Sequence, residues 1–596
     1  MNSAIACVLR IVAPSLLALG ILHSPARATA ADGPIADATA CAALDARLAG
    51  QWPDASTQVE SSQWHAAGPL TLPPSPYGPP QTLDVPAHCE LIAHLQAREG
   101  TFGQHYAIRF HLRMPADWNG RLLFLGGGGS NGNLGDALGQ LAPGAPPALG
   151  QGYAVVSQDS GHDNASNDDP AHAGTLVFGF DPQARSNYGH ASLPLVADAA
   201  QRAVRGLYGS APSYRYFVGC SKGGEEAMAI AQKYADRFDG ISAGAPGFAL
   251  PRAAVAEAWD TQQFARLIPG AKPGHPSFGQ LHSVLSDADF SVVRTAVLAA
   301  CDALDGALDG LVSAVGSCTT ARVLPELRKR QCRGDGEPRC LEPGKIDALV
   351  AVMAGPHDPA GQPVYSGWAW EPGIAEMGWR TWKIGAPGGM PPALNVVLGA
   401  ASLASVFTVP PTALPPDPQA LFDWQLAFDT GRDVARIHAT DDQFHHSAWD
   451  DNAARSADLD GLRAHHGRLL VWHGMADPVF SAQDTLAWWG EVDARYKGGE
   501  AQFLRVFPVP GLNHCGGGAA TGEFDVLATL VQWVEHGDAP ARLIARAGKD
   551  TPWPGRERAL CAWPEVAHYR GTGSLESAAS FTCAPAGARA PYLSNR

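Results

Sequence analysis

The pentapeptide Gly219-Cys220-Ser221-Lys222-Gly223 follows an apolar run (214–219, YRYFVG) and precedes a segment of helical periodicity. In that segment Ala227, Ile230, Ala231 and Tyr234 fall on one face, which predicts a helix over 225–234. A buried-type strand that turns into a helix within so few residues restricts the fold more than any other feature of the chain. Such a turn is tight and strained, and it needs glycine on both sides so that the flanking elements can approach closely. The serine then projects from the turn at the N-terminus of the helix, where developing negative charge is favoured.

The surrounding sequence repeats the strand-then-helix pattern from about Tyr106 onward. Residues 121–125 (RLLFL) predict a strand running into Gly126-Gly127-Gly128-Gly129, and 153–157 (YAVVS) predict another. Helical spacing over 196–208 comes before the serine turn, and 241–244 form the next short strand. The alternation stops near Phe248 and resumes with 468–473 (RLLVWH), 503–509 and a helix over 524–535. Between them, 248–457 is rich in Pro, Gly and Trp and holds four cysteines. The pattern predicts an α/β fold of 31–247 and 458–596, interrupted by a lid of 248–457. A chain of 596 residues exceeds one simple core, which agrees with two lobes. There is no internal repeat.

Composition narrows the function. A formal charge of -15 argues against nucleic acid and anionic membrane surfaces, and favours a neutral or weakly charged small ligand. Residues 1–30 read as a cleaved leader, with Arg10, an apolar stretch over 11–22 and Ala28-Thr29-Ala30 before the cut. That stretch is too short to span a bilayer comfortably. A secreted or periplasmic protein is therefore expected. Beyond Cys7 in the leader, ten cysteines remain, an even count that suggests five disulfides. Zinc is a poor fit, because neither C-x-x-C nor H-E-x-x-H occurs.

A serine hydroxyl needs a base, and the base needs an orienting acid. In the α/β-hydrolase fold these follow in the order Ser, Asp or Glu, His. Asp477 lies just beyond a predicted strand, in His473-Gly474-Met475-Ala476-Asp477, and His514 lies in a loop after the next one. Singly, Asp477 could cap a helix and His514 could be a surface residue; together and in order, with Ser221, they form a candidate triad. Cys220 precedes the serine and Cys515 follows the histidine. A disulfide between them would hold the two catalytic side chains close, since bridged Cα atoms lie about 4.4–6.8 Å apart.

These elements resemble the tannase and feruloyl esterase family, through Cys220-Ser221-Lys222-Gly223-Gly224, a distant Asp477, and His514-Cys515. Gly161-His162-Asp163-Asn164 and Ala243-Gly244-Ala245-Pro246-Gly247 extend the likeness over most of the mature chain. The resemblance implies a carboxylic ester hydrolase that acts on a small aromatic ester of feruloyl or galloyl type; a triad esterase needs no cofactor for catalysis, and a monomer is expected. It also implies an oxyanion hole made by the backbone N–H groups of Gly129 and Lys222. The same likeness pairs Cys41 with Cys89, Cys301 with Cys318, Cys332 with Cys340, and Cys561 with Cys583. Against the branch of the family that hydrolyses a terephthalate half-ester, Trp382, Leu250 and His473 match substrate-binding positions. That branch sets an arginine and a phenylalanine against the acyl group. The matching stretch here, 394–399 with Leu398 as its substrate-binding residue, has neither. A buried carboxylate without a cation is costly, so a neutral aryl ester is favoured over the half-ester.

The stretch 301–311, Cys301-Asp302-Ala303-Leu304-Asp305-Gly306-Ala307-Leu308-Asp309-Gly310-Leu311, groups three carboxylates around glycine turns. Such a loop suits calcium, which takes about six to eight oxygens, although it lacks the EF-hand spacing; a solvated acidic turn is the other reading. The resemblance implies a structural calcium in the lid, bound by Asp302, Asp305, Asp309 and the carbonyls of Ala307 and Leu311. The competing class, a binding protein that kept the fold without chemistry, has no need of a complete triad.

Overall fold

A computed structural model describes residues 36–72, 80–141, 145–270, 276–334, 337 and 339–585. The leader read at 1–30 lies outside them.

A nine-stranded mixed sheet forms the centre. In chain order its strands are β1 (Gln58–His65), β2 (His88–Glu99), β3 (His105–Pro115), β4 (Arg121–Leu125), β5 (Ala154–Gln158), β6 (Tyr214–Cys220), β7 (Gly240–Gly244), β8 (Arg468–Gly474) and β9 (Leu504–Val509). Across the sheet they run β1-β2-β3-β5-β4-β6-β7-β8-β9. The first three are antiparallel to their neighbours, and the six from β5 to β9 are parallel. Parallel strands buried on both faces read as continuous apolar runs, and β4, β5 and β7 are buried almost throughout.

Helices cover both faces. Those that matter here are α1 (Ser192–Tyr208), α2 (Lys222–Lys233), α3 (Leu250–Ala265), α4 (Ala482–Tyr496) and α5 (Val526–His536). One core packs α1, α2 and Trp488 of α4 against the sheet, and a second packs Leu527 and Leu530 of α5 against Tyr216, Leu470 and Phe507.

Among the described residues no strand joins the sheet between β7 and β8. The intervening segment is mainly helical, and it builds its own core from Phe264, Phe290, Trp379, Leu403 and Phe422. Phe178, Tyr188, Val479 and Phe480 also belong to that core, so the lid is seated on the segments that border the serine turn. Among the described residues no helix is long and apolar enough to cross a membrane.

All five cysteine pairs form: Cys41–Cys89, Cys220–Cys515, Cys301–Cys318, Cys332–Cys340 and Cys561–Cys583.

Candidate active site

Ser221 sits between β6 and α2 at φ 65°, ψ -119°, a conformation that side-chain-bearing residues rarely adopt. The crowding around it explains the glycines. A Cβ on Gly219 would lie 2.3 Å from the carbonyl oxygen of Gly223, so no larger residue fits there. The turn is fixed further by the Ser221 N–H, which donates to the Gly244 carbonyl at 3.0 Å.

Three parallel strands deliver the three polar residues to one edge of the sheet. Ser221 follows β6, Asp477 follows β8 and His514 follows β9, all at the carboxyl ends where α/β sheets bind their ligands. His514 Nε2 lies 2.8 Å from Ser221 Oγ, and its Nδ1 lies 2.8 Å from Asp477 Oδ2. The Cys220–Cys515 bridge, with Cα atoms 6.0 Å apart, ties the serine turn to the histidine loop across β7 and β8.

Asp477 is buried, and its second oxygen accepts the N–H groups of Val479 (2.7 Å) and Phe480 (3.1 Å). Burial alone would raise its carboxyl pKa. The charge of His514 and the hydrogen bonds from His473 and His514 outweigh that and hold it well below the usual carboxylate range. It stays ionised and fixed, as an orienting acid must.

One sequence expectation needs correction here. His473 does not line the substrate cavity. It is buried behind the triad, with Nε2 3.2 Å from Asp477 Oδ2 and 3.1 Å from the Phe480 carbonyl, and Nδ1 2.8 Å from Thr485 Oγ1. Its position on β8 turns it inward, so it positions Asp477 rather than the substrate.

The other pocket residues do come together. A cavity of about 400 Å³ opens on Ser221 and is lined by Leu250, Trp382 and Leu398 together with Phe407, Leu421 and Phe480. The rings of Trp382 and Phe480 stand edge-on to the His514 imidazole, with centroids 6.0 and 5.3 Å away. They form an apolar collar that shields the imidazole from water.

Gly129 and the Lys222 backbone border the same cavity. Among the described residues neither N–H donates to a protein acceptor, which leaves both for a ligand oxygen. The glycine-rich loop that carries Gly129 is clamped by Glu226, a residue the sequence reading missed. Its carboxylate accepts the Gly127 N–H at 2.8 Å and Asn131 Nδ2 at 2.7 Å, while the Gly223 N–H donates to the Gly127 carbonyl at 3.0 Å. The two adjacent acids Glu225-Glu226, in the first turns of the helix and just before its apolar stretch 227–231, were the available signal. The Lys222 side chain points away from the cavity mouth into this cluster. Its ammonium is buried against Glu225 and Glu226 and lies 4.7 Å from the centre of the Tyr188 ring. Burial alone would lower that ammonium's pKa; the two carboxylates hold it above its ordinary value.

In the acidic loop Asp302, Asp305 and Asp309 are all buried, and the Cys301–Cys318 bridge braces it. Asp302 accepts the N–H groups of Asp309 and Gly310, and Asp305 those of Ala307 and Ser313. Asp309 pairs with Arg558, and Arg556 donates to its carbonyl at 2.7 Å. Burial, with the Asp309 charge adding to it, pushes Asp302 up to about 6 and Asp305 up to about 7. Among the described residues no three His, Cys, Asp or Glu side chains already converge in metal-ligand geometry. The donor set nevertheless has the all-oxygen chemistry that calcium takes.

Comparison with known proteins places the chain in a family. The sequence model described as tannase and feruloyl esterase matches residues 89–584. The chain is 39% identical over 573 residues to mono(2-hydroxyethyl) terephthalate hydrolase of Piscinibacter sakaiensis, covering 92% of each protein. It is 30% identical over 530 residues to a probable feruloyl esterase of Arthroderma benhamiae, covering 86% of this chain and 88% of that one. Among solved structures, feruloyl esterase B from Aspergillus oryzae superposes with a TM-score of 0.72 at 20% identity, over 91% of this chain and 100% of that one.

Proposed function

The chain belongs to the tannase and feruloyl esterase family and is a carboxylic ester hydrolase, and from that premise we propose that it is an exported serine esterase of aromatic esters. The observation that carries the reading is the continuous Ser221–His514–Asp477 relay opening on an aromatic-lined cavity.

In this mechanism His514 Nε2 takes the Ser221 proton as Oγ attacks the ester carbonyl carbon. The N–H groups of Gly129 and Lys222 receive the oxyanion of the tetrahedral intermediate. His514 then protonates the departing alcohol, the acyl group stays on Ser221, and the carbon–oxygen bond to the alcohol breaks. Water attacks the acyl-enzyme with His514 again as base, which releases the acid. Asp477 keeps the imidazole oriented and stabilises its charged form throughout, and His473 braces Asp477 from behind.

The cavity supports an aryl group between Trp382, Leu250 and Leu398. Its charged lining residues are Asp168, Glu257 and Lys222, and the Lys222 ammonium is already held by two carboxylates. No lining cation is left for a terephthalate carboxylate, which favours a neutral ester. The identity to the terephthalate hydrolase favours the half-ester instead. Initial rates on methyl ferulate, methyl gallate, chlorogenate, mono(2-hydroxyethyl) terephthalate and p-nitrophenyl acetate decide between them. A hydroxycinnamate or gallate is expected to exceed the half-ester by at least about tenfold in kcat/KM. The reverse order would overturn the neutral-ester reading.

The acidic loop supports a structural calcium, held by the carboxylates of Asp302, Asp305 and Asp309 with the carbonyls of Ala307 and Leu311. Bound calcium would neutralise buried charge there and takes no part in the chemistry. Saturating calcium is expected to raise the Tm by about 2 °C or more over the chelated protein. Magnesium should not substitute, because it demands a tighter octahedral shell. An unchanged Tm would remove the metal from the account.

A further inference from the structure

Along α3, Leu250, Ala254 and Glu257 fall on one face, and all three line the cavity. Glu257 is anomalous there. Its side chain is almost wholly buried, at 5% relative exposure, in a cavity whose lining includes Trp382, Leu398, Phe407 and Leu421. Among the described residues its carboxyl has neither a hydrogen-bond donor nor an ion-pair partner, since the nearby Lys383 is bound to Asp260 one turn further along α3. A buried polar group without a partner is costly and calls for an explanation.

The neighbouring segment is shaped around this carboxyl. Gly399, in the π-helical segment Asn395–Ala400, sits so close that a Cβ there would lie 2.0 Å from Glu257 Oε2. The glycine leaves room for the acid, and both residues line the cavity.

We propose that Glu257, with Gly399 beside it, is the specificity residue of this site: its carboxyl accepts the O–H of a hydroxyl on the substrate's aromatic ring. This rests on the aryl-esterase reading above and narrows it to phenolic esters. Burial pushes the carboxyl up to about 8, and in either protonation state an oxygen remains to accept the phenol proton. An aryl ester without the hydroxyl leaves the carboxyl buried and unpaired. The penalty falls on the complex, so discrimination should appear in kcat/KM.

The test compares methyl 4-hydroxycinnamate with methyl cinnamate on the wild type, Glu257→Leu, Glu257→Gln and Gly399→Ala. The wild type is expected to prefer the hydroxylated ester by about 10–100-fold in kcat/KM. Glu257→Leu should reduce that ratio below about threefold. Gly399→Ala, which displaces the carboxyl, should do the same and carries the test if the leucine variant fails to fold. Glu257→Gln, whose amide oxygen still accepts, should keep part of the preference. A wild type that treats the two esters alike, or a folded Glu257→Leu that keeps the full ratio, overturns the proposal. If the wild type cleaves p-nitrophenyl acetate but neither cinnamate, the aryl-ester reading itself fails and this proposal with it.

Discussion

Replacing Ser221 with alanine is expected to lower kcat on every ester by about 10⁴–10⁶-fold, while the folded protein keeps its melting temperature. The size of the effect follows from the site's arrangement. Ser221 Oγ is the atom to which His514 Nε2 is hydrogen-bonded at 2.8 Å, and it lies at the mouth of the cavity. Without it the Gly129 and Lys222 N–H groups proposed to hold the oxyanion and the apolar collar remain, which would leave a small residual rate above water. The tight turn should survive, because alanine carries no atom larger than the serine it replaces, and the close glycine contacts around 219 and 223 are untouched. Initial rates on a hydroxycinnamate ester, alongside a thermal melt, check both halves of the expectation.

Removing the bridge between Cys220 and Cys515 with paired serine substitutions is expected to have the next largest effect, on stability and rate together. The bond spans 295 residues, and the chain-entropy account assigns a loop of that length about 6 kcal/mol. The two shorter bridges within it, of 17 and 8 residues, shorten the loop little. The bond also fixes the spacing between Ser221 and His514, which belong to loops of strands three positions apart in the sheet. A displacement of about 1 Å in a catalytic pair costs about 10²-fold, so kcat should fall by roughly that factor in the folded variant. Denaturant unfolding and steady-state kinetics measure the two effects separately. A variant with unchanged kcat would show that β6, β8 and β9 hold the triad without the staple.

How much of this could be read from the sequence depends on how local each signal is. The strands β4 to β9 were legible because parallel strands buried on both faces are short apolar runs: the expected 121–125 is Arg121–Leu125, and 468–473 is Arg468–Gly474. The edge strand β1 and its neighbour β2 were missed. Their side chains alternate with partly exposed residues such as Glu60, His94 and Arg98, so neither reads as an apolar run. The lid was legible only as an interruption, and its helices were hidden by proline and glycine. The helix after the serine begins at Lys222, earlier than the apolar face implies, because its first turn is filled by the glycines and the buried Glu225-Glu226 pair.

The site divides in the same way. Ser221, Asp477 and His514, which the fold brings within hydrogen-bond reach, stood out as candidates because each sits beside a strand end or a cysteine. The placing of His473 went wrong because a residue in a strand next to the site can face either the ligand or the back of the triad, and sequence does not give the direction. Glu226 and Glu257 were missed because an acid within a helix stands out only when the fold brings its surroundings to it, Gly127 and Asn131 in one case and the cavity lining in the other.

The most direct test of the central claim is intact-mass and peptide mapping after reaction with an aryl-ester-sized fluorophosphonate. The account predicts one adduct per chain, on the peptide that contains Ser221, blocked by prior incubation with substrate and abolished by His514→Ala. Ester hydrolysis by a protein that takes up no label, or takes it up on another residue, would contradict the assignment of Ser221 as the nucleophile.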